Sequence, residues 1–315
     1  MSTQTNDIKT ILVIGNGFDK KCGLKSSYND FLNDKNFWPT DSSKYHSIEK
    51  SFWYAIFTYV QLGSQAEYWW DLENRILKII TNYNLIRQNP DLIPISRSRS
   101  YKNIDSIELL KELKKFEIDF QKYLLLQIEA CGKTTDSTAF RYSDNVKKLI
   151  NKIDQKIEAN SHFYILNFNY TQILTFLKPL YALENNVHGT LNSEIIMGID
   201  DANVKGELFY FSKTYKKLLS HLPMYTIPDE IKQIAFFGHS LSDADYSYFH
   251  SLFDYYNLYG SKVVLKFCYS PGYLNITSIY KLIHKYGETF SNKQQGKNLL
   301  HKLLLENRIQ IIEIA

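Results

Sequence analysis

A short apolar run near the start of the chain predicts the first strand of a sheet. Ile11 to Ile14 are all aliphatic, and glycine follows at Gly15. A β-branched run closed by glycine is typical of a buried strand in an α/β protein. Further along, Ser27 to Asp30 reads Ser-Tyr-Asn-Asp, which predicts a helix start with a capping box. The pattern therefore predicts a strand and then a helix in the first 34 residues.

The segment from residue 35 to residue 160 has the helical period of apolar residues. Stripes that recur every three or four residues predict four or more amphipathic helices packed as a bundle. The stripes are Ile48, Phe52, Ala55, Ile56 and Tyr59; Leu72, Ile76, Ile79, Ile80 and Tyr83; Ile107, Leu110, Leu113, Phe120, Leu124 and Ile128; and Val146, Leu149, Ile150, Ile153 and Ile157. A loop is expected over Asn89–Ser100. The four tryptophans of this segment are interpreted as core residues: Trp38, Trp53, Trp69 and Trp70.

After Asn160 short apolar runs alternate with helical stripes. Strands are predicted over 162–168, 186–188, 233–237, 262–269 and 309–314, and helices over 275–286 and 294–306. Strands that alternate with helices predict βα units and a mostly parallel sheet. The strand at Ile11–Ile14 would join this sheet across the helical segment. We therefore expect an α/β protein with a large inserted α-helical domain.

The distribution of glycine supports this division. Only Gly63 and Gly132 lie between Lys35 and Asn160, and the other eleven of the 13 glycines lie outside that stretch. Glycine is needed where the backbone takes left-handed angles or lies close to a ligand. A helical insertion has little use for it.

Charge and cysteine content narrow the class of protein. The net charge of +4 is spread along the chain, so no nucleic-acid surface is expected. The three cysteines are isolated, which argues against a zinc ribbon or a disulfide framework, and no metal site is predicted. The chain shows no signal peptide and no apolar run long enough for a membrane helix. We therefore expect a cytoplasmic protein that does not bind membranes.

Two candidate sites follow the first two strands of the predicted sheet. Gly15-Asn16-Gly17 could bring backbone N–H groups close to a phosphate. A structural turn is the alternative, because the third glycine of the dinucleotide fingerprint is missing at its usual spacing. Asn167 to Thr171 follows the next predicted strand, where open α/β sheets place ligands. An Asx-turn or a helix cap is the alternative for that segment.

Two more candidate segments lie further along the chain. His188 precedes Gly189, and Gly238 to Asp245 follows the strand at 233–237. The second segment is superficially similar to a serine nucleophile elbow, but Ser242 stands where that motif has its second glycine. In the other interpretation, Ser240, Asp243 and Asp245 reach a ribose or a phosphate, although Asp245 could equally cap the next helix. Since all four segments follow strands, we expect them to meet along one edge of the sheet.

Several of these segments together resemble a known family. The match to AbiH-type abortive-infection proteins runs in order through nearly the whole chain, and the family is associated with bacterial defence against phage. The motifs that carry it are Ile14–Asp19, Gly23–Tyr28 with Phe31, Trp70–Glu73, Phe168–Thr171, His188-Gly189, Gly198–Asp200 and Gly238–Leu241.

A more distant resemblance is to sirtuin-like NAD-binding domains. Their glycine turn is similar to Gly15–Asp19, their catalytic His-Gly to His188-Gly189, and their Gly-Thr-Ser-Leu to Gly238–Leu241. Their Asn-x-Asp motif resembles Asn169–Thr171, with threonine in place of the aspartate, which weakens the implied ribose contact. The four-cysteine zinc module of those proteins is absent, which argues against a protein deacylase.

The resemblance implies a fold and an activity. The fold would be a Rossmann-like, sirtuin-like nucleotide-binding domain over 1–34 and 161–315 with a helical domain over 35–160. The activity would be that of an NAD glycohydrolase, with NAD as substrate or ligand and no tightly bound cofactor. Catalysis is assigned to Asn169, which would bind the ribose or a water, and to His188 as general base. The nucleotide would be bound by Gly15, Asn16, Gly17, Phe18, Asp19, Glu73, Thr171, Gly238, Ser240, Asp243 and Asp245.

Two other functions remain open from the sequence. A non-catalytic nucleotide-sensing module would bind the nucleotide tightly without turnover. A nuclease-type toxin would cleave RNA, although the even charge counts against it. A homo-oligomer assembled through the helical domain is also left open, because the excess of tyrosine and phenylalanine suits an interface as well as a core.

Overall fold

The computed structural model of the chain describes residues 8–38, 51–59, 72–81, 106–133, 142–157, 162–177, 182–220 and 226–315. The chain forms two compact units. The first comprises Met1–Leu24, Cys131–Thr190 and Leu222–Ala315, and the second comprises Lys25–Ala130 and Leu191–His221. These bounds differ from the predicted domains, since residues 142–157 belong to the first unit and residues 191–221 to the second. The predicted division at residues 34 and 160 stays a prediction.

The first unit contains an all-parallel sheet. Within the described residues its six strands are β1 (Thr10–Ile14), β2 (Phe163–Asn167), β3 (Ala182–Asn186), β4 (Gln233–Phe237), β5 (Val264–Tyr269) and β6 (Ile309–Glu313). Their spatial order is β3-β2-β1-β4-β5-β6, and every neighbouring pair is parallel. The α/β class and the parallel sheet are thus confirmed. This strand order is the one found in dinucleotide-binding Rossmann folds.

Burial explains why the central strands form where the sequence predicts them. All five residues of β1, β2 and β4 are buried. A strand covered on both faces needs a continuous apolar run rather than an alternating one. Helices cover one face of the sheet. Phe249, Ile283 and Leu303 of these helices pack in one hydrophobic cluster with Val13 and Phe236 of the strands.

The helices divide between the two units. Those of the first unit are α1 (Asn16–Lys21), α6 (Tyr142–Ile157), α8 (Tyr246–Tyr255), α9 (Ile276–Glu288) and α10 (Lys293–Leu305). Those of the second unit are α2 (Tyr28–Leu32), α3 (Phe52–Tyr59), α4 (Leu72–Thr81), α5 (Ser106–Lys133, up to Ala130) and α7 (Lys213–Leu219). The capping box predicted at Ser27 is present, since Ser27 Oγ accepts from the Asp30 N–H at 3.1 Å and the Ser27 N–H donates to the Asp30 carboxylate at 3.0 Å.

The described residues of the four predicted helical stripes fall on α3, α4, α5 and α6, whereas Ile48 and Tyr83 lie outside the described residues. The short strand predicted at 186–188 is wrong: β3 ends at Asn186, and His188 lies in the turn that follows. The sequence of β3, Ala-Leu-Glu-Asn-Asn, has no apolar run that would predict a strand. Glu184 and Asn186 are buried, but their partners are hydrogen-bonding groups and not apolar side chains. The sequence did not predict α7. The loop at Asn89–Ser100 and the tryptophans Trp69 and Trp70 lie outside the described residues.

Aromatic side chains form much of the core of the second unit. The ring of Phe31 lies 5.1–5.4 Å from five neighbouring aromatic rings: Phe37, Trp38, Phe116, Phe120 and Tyr123. Trp38 and Trp53 are buried, which confirms that these two tryptophans pack in the core. Among the described helices, none combines the length and the apolar character that a membrane crossing requires.

Candidate functional site

The four candidate segments begin at the carboxyl ends of four adjacent strands. Ile14, the last residue of β1, is paired with Asn167 of β2 and with Phe237 of β4, and Asn167 is paired with Asn186 of β3. The loops that follow therefore start at one edge of the sheet. The strand order reverses between β1 and β4, and in open α/β sheets ligands bind at such a switch point.

The loops after β1 and β4 are joined by their backbones. The N–H of Gly15 donates to the carbonyl of Phe237 at 3.2 Å, and that of Gly17 donates to the carbonyl of Gly238 at 2.8 Å. Gly238 has φ +69°, and a Cβ there would lie 2.3 Å from the Phe18 nitrogen. The glycines thus let two loops touch. Of the three residues whose N–H groups the sequence assigns to a pyrophosphate, Gly15 and Gly17 donate within the protein, whereas Asn16 is exposed.

The loop after β2 is fixed by a buried network of asparagines. Asn167 Nδ2 donates to the Thr171 carbonyl at 2.8 Å and to Glu184 Oε1 at 2.6 Å, while Asn167 Oδ1 accepts from the Asn169 N–H at 2.8 Å. Asn186 Nδ2 donates to the carbonyls of Asn169 and Thr171 at 2.9 and 3.0 Å. The Asx-turn considered from the sequence is therefore present, and it aims the Asn169 side chain across to β1, where Nδ2 donates to the Gly15 carbonyl at 3.1 Å.

Asp19 is a buried carboxyl beside this loop. Tyr142 donates to its Oδ1 at 2.7 Å, and Thr171 donates to its Oδ2 at 2.8 Å. Burial raises the pKa of Asp19 to about 6, against the smaller lowering effects of the hydrogen bonds from Tyr142, Thr171 and Asn169. The carboxyl therefore joins α1, α6 and the loop after β2. Thr171 stands where an Asn-x-Asp motif would have its acidic residue, and here it donates to an aspartate instead.

His188 is held by a carboxylate that also faces a second histidine. His188 Nε2 lies 2.9 Å from Asp245 Oδ1, and His239 Nε2 lies 3.3 Å from Asp245 Oδ2. The side chains of His188 and His239 are 5% and 4% exposed, and that of Asp245 is 12% exposed. The ring of Phe168 lies 5.5 Å from that of His188 and 4.6 Å from that of His239. An imidazole oriented by a carboxylate is a group suited to accept a proton.

The remaining predicted residues lie in different surroundings. Ser240 is exposed after β4, and Asp243 is an exposed residue paired with Lys285 at 2.5 Å. Phe18 is buried, with its ring edge-on to Phe237. Glu73 lies in the second unit, where it pairs with the buried Lys213 at 2.6 Å.

Sequence reasoning missed several residues of this edge. His239 lies between Gly238 and Ser240 in a segment that was singled out, but its partner Asp245 is 6 residues further on, and His188 lies in the turn after β3. Glu184, Asn186 and Tyr142 gave no signal, because their roles arise from hydrogen bonds between distant segments. Among the described residues, no three His, Cys, Asp or Glu side chains are grouped so that they could hold a metal ion.

A comparison with protein-family models finds a match to the family described as bacteriophage abortive infection AbiH, over residues 11–267. The matched region includes every candidate residue at the carboxyl edge of the sheet. No curated protein and no solved structure matches the chain.

Proposed function

We propose that this chain, which belongs to the AbiH family of bacteriophage abortive infection proteins, acts in phage defence by hydrolysing the nicotinamide–ribose bond of NAD or a related nucleotide. The nucleotide would lie at the carboxyl edge of the sheet, over the loops that follow β1, β2, β3 and β4. The observation that carries the proposal is the buried His188, held by Asp245 at the end of β3 in a sheet of dinucleotide-binding strand order.

The reaction makes modest demands on the protein. Breaking the bond between C1′ and the ring nitrogen leaves an oxocarbenium-like ribose and returns the bond's electron pair to nicotinamide, which departs neutral. Because the leaving group is already cationic, it needs no added proton. A water then bonds to C1′ and loses one proton. The protein must therefore hold the ribose, exclude bulk water and accept that proton.

Two buried residues match these demands. His188 would take the proton from the attacking water, and Asn169 would hydrogen-bond the ribose or that water. Both residues are 4% exposed, so bulk solvent has little access to them. Asn16 and Ser240 are exposed and lie after β1 and β4, where they can contact the phosphates or the adenosine ribose.

The experiment measures NAD consumption by the purified full-length chain, with nicotinamide and ADP-ribose separated by chromatography. We expect turnover by the wild type and a loss of about 10²-fold or more in His188→Ala, because removal of a general base typically costs 10²–10⁴. Asn169→Ala should lose turnover as well. His284→Ala is the matched control, since His284 is a half-exposed histidine on α9 that pairs with Glu288, and it should retain wild-type turnover.

The outcomes separate the proposal from its alternatives. Equal turnover in the wild type and in His188→Ala and Asn169→Ala would make the site assignment wrong. NAD that binds tightly without being consumed would indicate a nucleotide sensor. Degradation of added RNA with intact NAD would indicate a nuclease-type toxin.

A further inference from the structure

We infer that Asp245 and His239 are positioning residues that set the tautomer of His188, with the His188 proton on Nε2 and the basic lone pair on Nδ1. The inference rests on the proposed function, because it assigns the atom of His188 that would accept the proton. It changes the role of Asp245, which the sequence assigns to nucleotide binding.

The argument begins at His239. Its Nδ1 accepts a hydrogen bond from the backbone N–H of Leu241 at 2.9 Å. Leu241 has φ +56°, a left-handed conformation that is uncommon for a non-glycine residue. Since Nδ1 is an acceptor, the proton of a neutral His239 ring lies on Nε2, the nitrogen that faces Asp245 Oδ2 at 3.3 Å.

Asp245 connects the two histidines and determines which nitrogen of His188 carries the proton. One carboxylate oxygen faces the Nε2–H of His239, and the other lies 2.9 Å from His188 Nε2. A carboxylate only accepts hydrogen bonds, so the neutral His188 ring must also carry its proton on Nε2. Nδ1 is then the basic nitrogen. Asp245 would thus act on His188 as the buried aspartate of a Ser-His-Asp triad acts on its histidine, by fixing the tautomer of the imidazole.

Titratable side chains that face His188 come from three segments of the chain. Asp245 and Tyr248 belong to the short 3-10 turn over Asp243–Asp245 and to α8, and His239 follows β4. The ring of Tyr248 lies 5.7 Å from that of His188. Asp245 lies within hydrogen-bond distance of His188 Nε2, at 2.9 Å, so its charge is the one that a substitution should test.

Asp245→Asn tests the tautomer directly. Because His239 presents a proton, the new amide must turn its oxygen towards His239 and its NH₂ group towards His188. His188 Nε2 must then accept, and its proton moves to Nδ1. We expect the ring-nitrogen NMR spectrum of ¹⁵N-histidine-labelled full chain, at a pH where His188 is neutral, to show an Nε2–H tautomer in the wild type and an Nδ1–H tautomer in Asp245→Asn. The His188 signals are identified by their absence in His188→Gln.

Kinetics supply a second readout. We expect kcat of Asp245→Asn for NAD to fall by about 10²-fold or more with KM within about twofold of the wild type, because the variant keeps its shape but offers the wrong nitrogen. Glu288→Gln is the matched control. It removes the carboxylate of an exposed pair with His284, and it should change neither kcat nor the His188 spectrum.

The tautomer inference and the proposed activity can be disproved separately. The same His188 tautomer in the wild type and Asp245→Asn would overturn the inference, as would an Nδ1–H tautomer in the wild type. A tautomer switch in a protein that never consumes NAD would support the positioning of His188 and contradict the proposed glycohydrolase activity instead.

Discussion

At the scale of single residues, the carboxyl edge of the sheet is maintained by polar side chains that are almost wholly buried. Asn167, Asn169, Thr171 and Asp19 are each at most 4% exposed. Buried polar groups are costly unless each finds a partner, and here they partner one another across three strand ends. Substitutions at these positions will therefore change stability as well as any activity, and the two must be measured separately.

Asp19 offers a test of this cost. Its pKa is raised from 3.8 to about 6 by burial. Between those pH values the folded protein keeps a proton that the unfolded chain has lost, so the free energy of unfolding falls as pH rises through this window. A shift of about two units corresponds to about 3 kcal/mol. Asp19→Asn should abolish this loss and be more stable than the wild type at about pH 7.

Urea unfolding at about pH 4 and about pH 7 measures the effect. The stability difference between Asp19→Asn and the wild type should grow in favour of the variant at the higher pH. Asp229→Asn is the matched control, because it makes the same substitution at an exposed position. A difference for Asp19→Asn that does not change with pH would contradict the prediction.

Single site residues could be named where a motif followed a predicted strand or resembled that of a known family. Asn169 follows the strand predicted at 162–168, and His188 was named because His188-Gly189 resembles a catalytic His-Gly motif. The contact between His188 and Asp245 could not be predicted, because it joins residues 57 positions apart through a turn and a 3-10 segment. Spacing along the chain carries no information about such a pair.

At the scale of elements, the contact between the loops after β1 and β4 depends on glycine. Alanine in place of Gly238 would be destabilising for two reasons: the backbone has φ +69°, and the new Cβ would lie 2.3 Å from the Phe18 nitrogen. The left-handed backbone alone costs about 1–2 kcal/mol, and overpacking adds about 1–3 kcal/mol. We expect Gly238→Ala to lower the free energy of unfolding by about 2–5 kcal/mol.

Gly272→Ala measures the backbone part of that loss alone. Gly272 also has a positive φ, +81°, but a Cβ there meets nothing within 4 Å. Its substitution should cost only about 1–2 kcal/mol. Urea unfolding of both variants gives the comparison, and equal losses would show that the close approach of the two loops contributes nothing.

The elements themselves were predictable where apolar periodicity was strong. β4 was predicted at its observed bounds, and the four helical stripes fall on helices. β3 was misplaced because its inward residues, Glu184 and Asn186, are polar. Their burial depends on hydrogen bonds to the loop after β2, so a local pattern could not reveal it.

At the scale of the whole molecule, the mostly parallel sheet and the pairing of the first strand with strands far along the chain were predictable. The strand order was not, because the same βα units can be arranged in several ways. The sequence also did not predict that residues 191–221 belong to the second unit. This assignment depends on tertiary contacts such as the pair between Lys216 and Glu117 of α5, whose sequence positions are far apart.

A phage infection experiment tests the protein as a whole. In bacteria that express the chain, infected with a phage that the wild type restricts, we expect the cellular NAD level to fall during infection. His188→Ala should keep NAD at its starting level and allow as many plaques as cells without the protein. His284→Ala should protect like the wild type. Full protection by His188→Ala would show that defence does not require the proposed chemistry.

The pairing of β1 has a consequence for how the protein reaches its native state. Thr10 pairs with Phe163 on one side and with Gln233 on the other, partners about 150 and about 220 residues away. Contacts so distant in sequence slow folding, because a long loop must close before they form. At about 5–20 residues per second of synthesis, a buried central strand that is mostly aliphatic would wait roughly 10 to 45 seconds for its second neighbour. Nascent chains should therefore need protection from aggregation until β4 has left the ribosome.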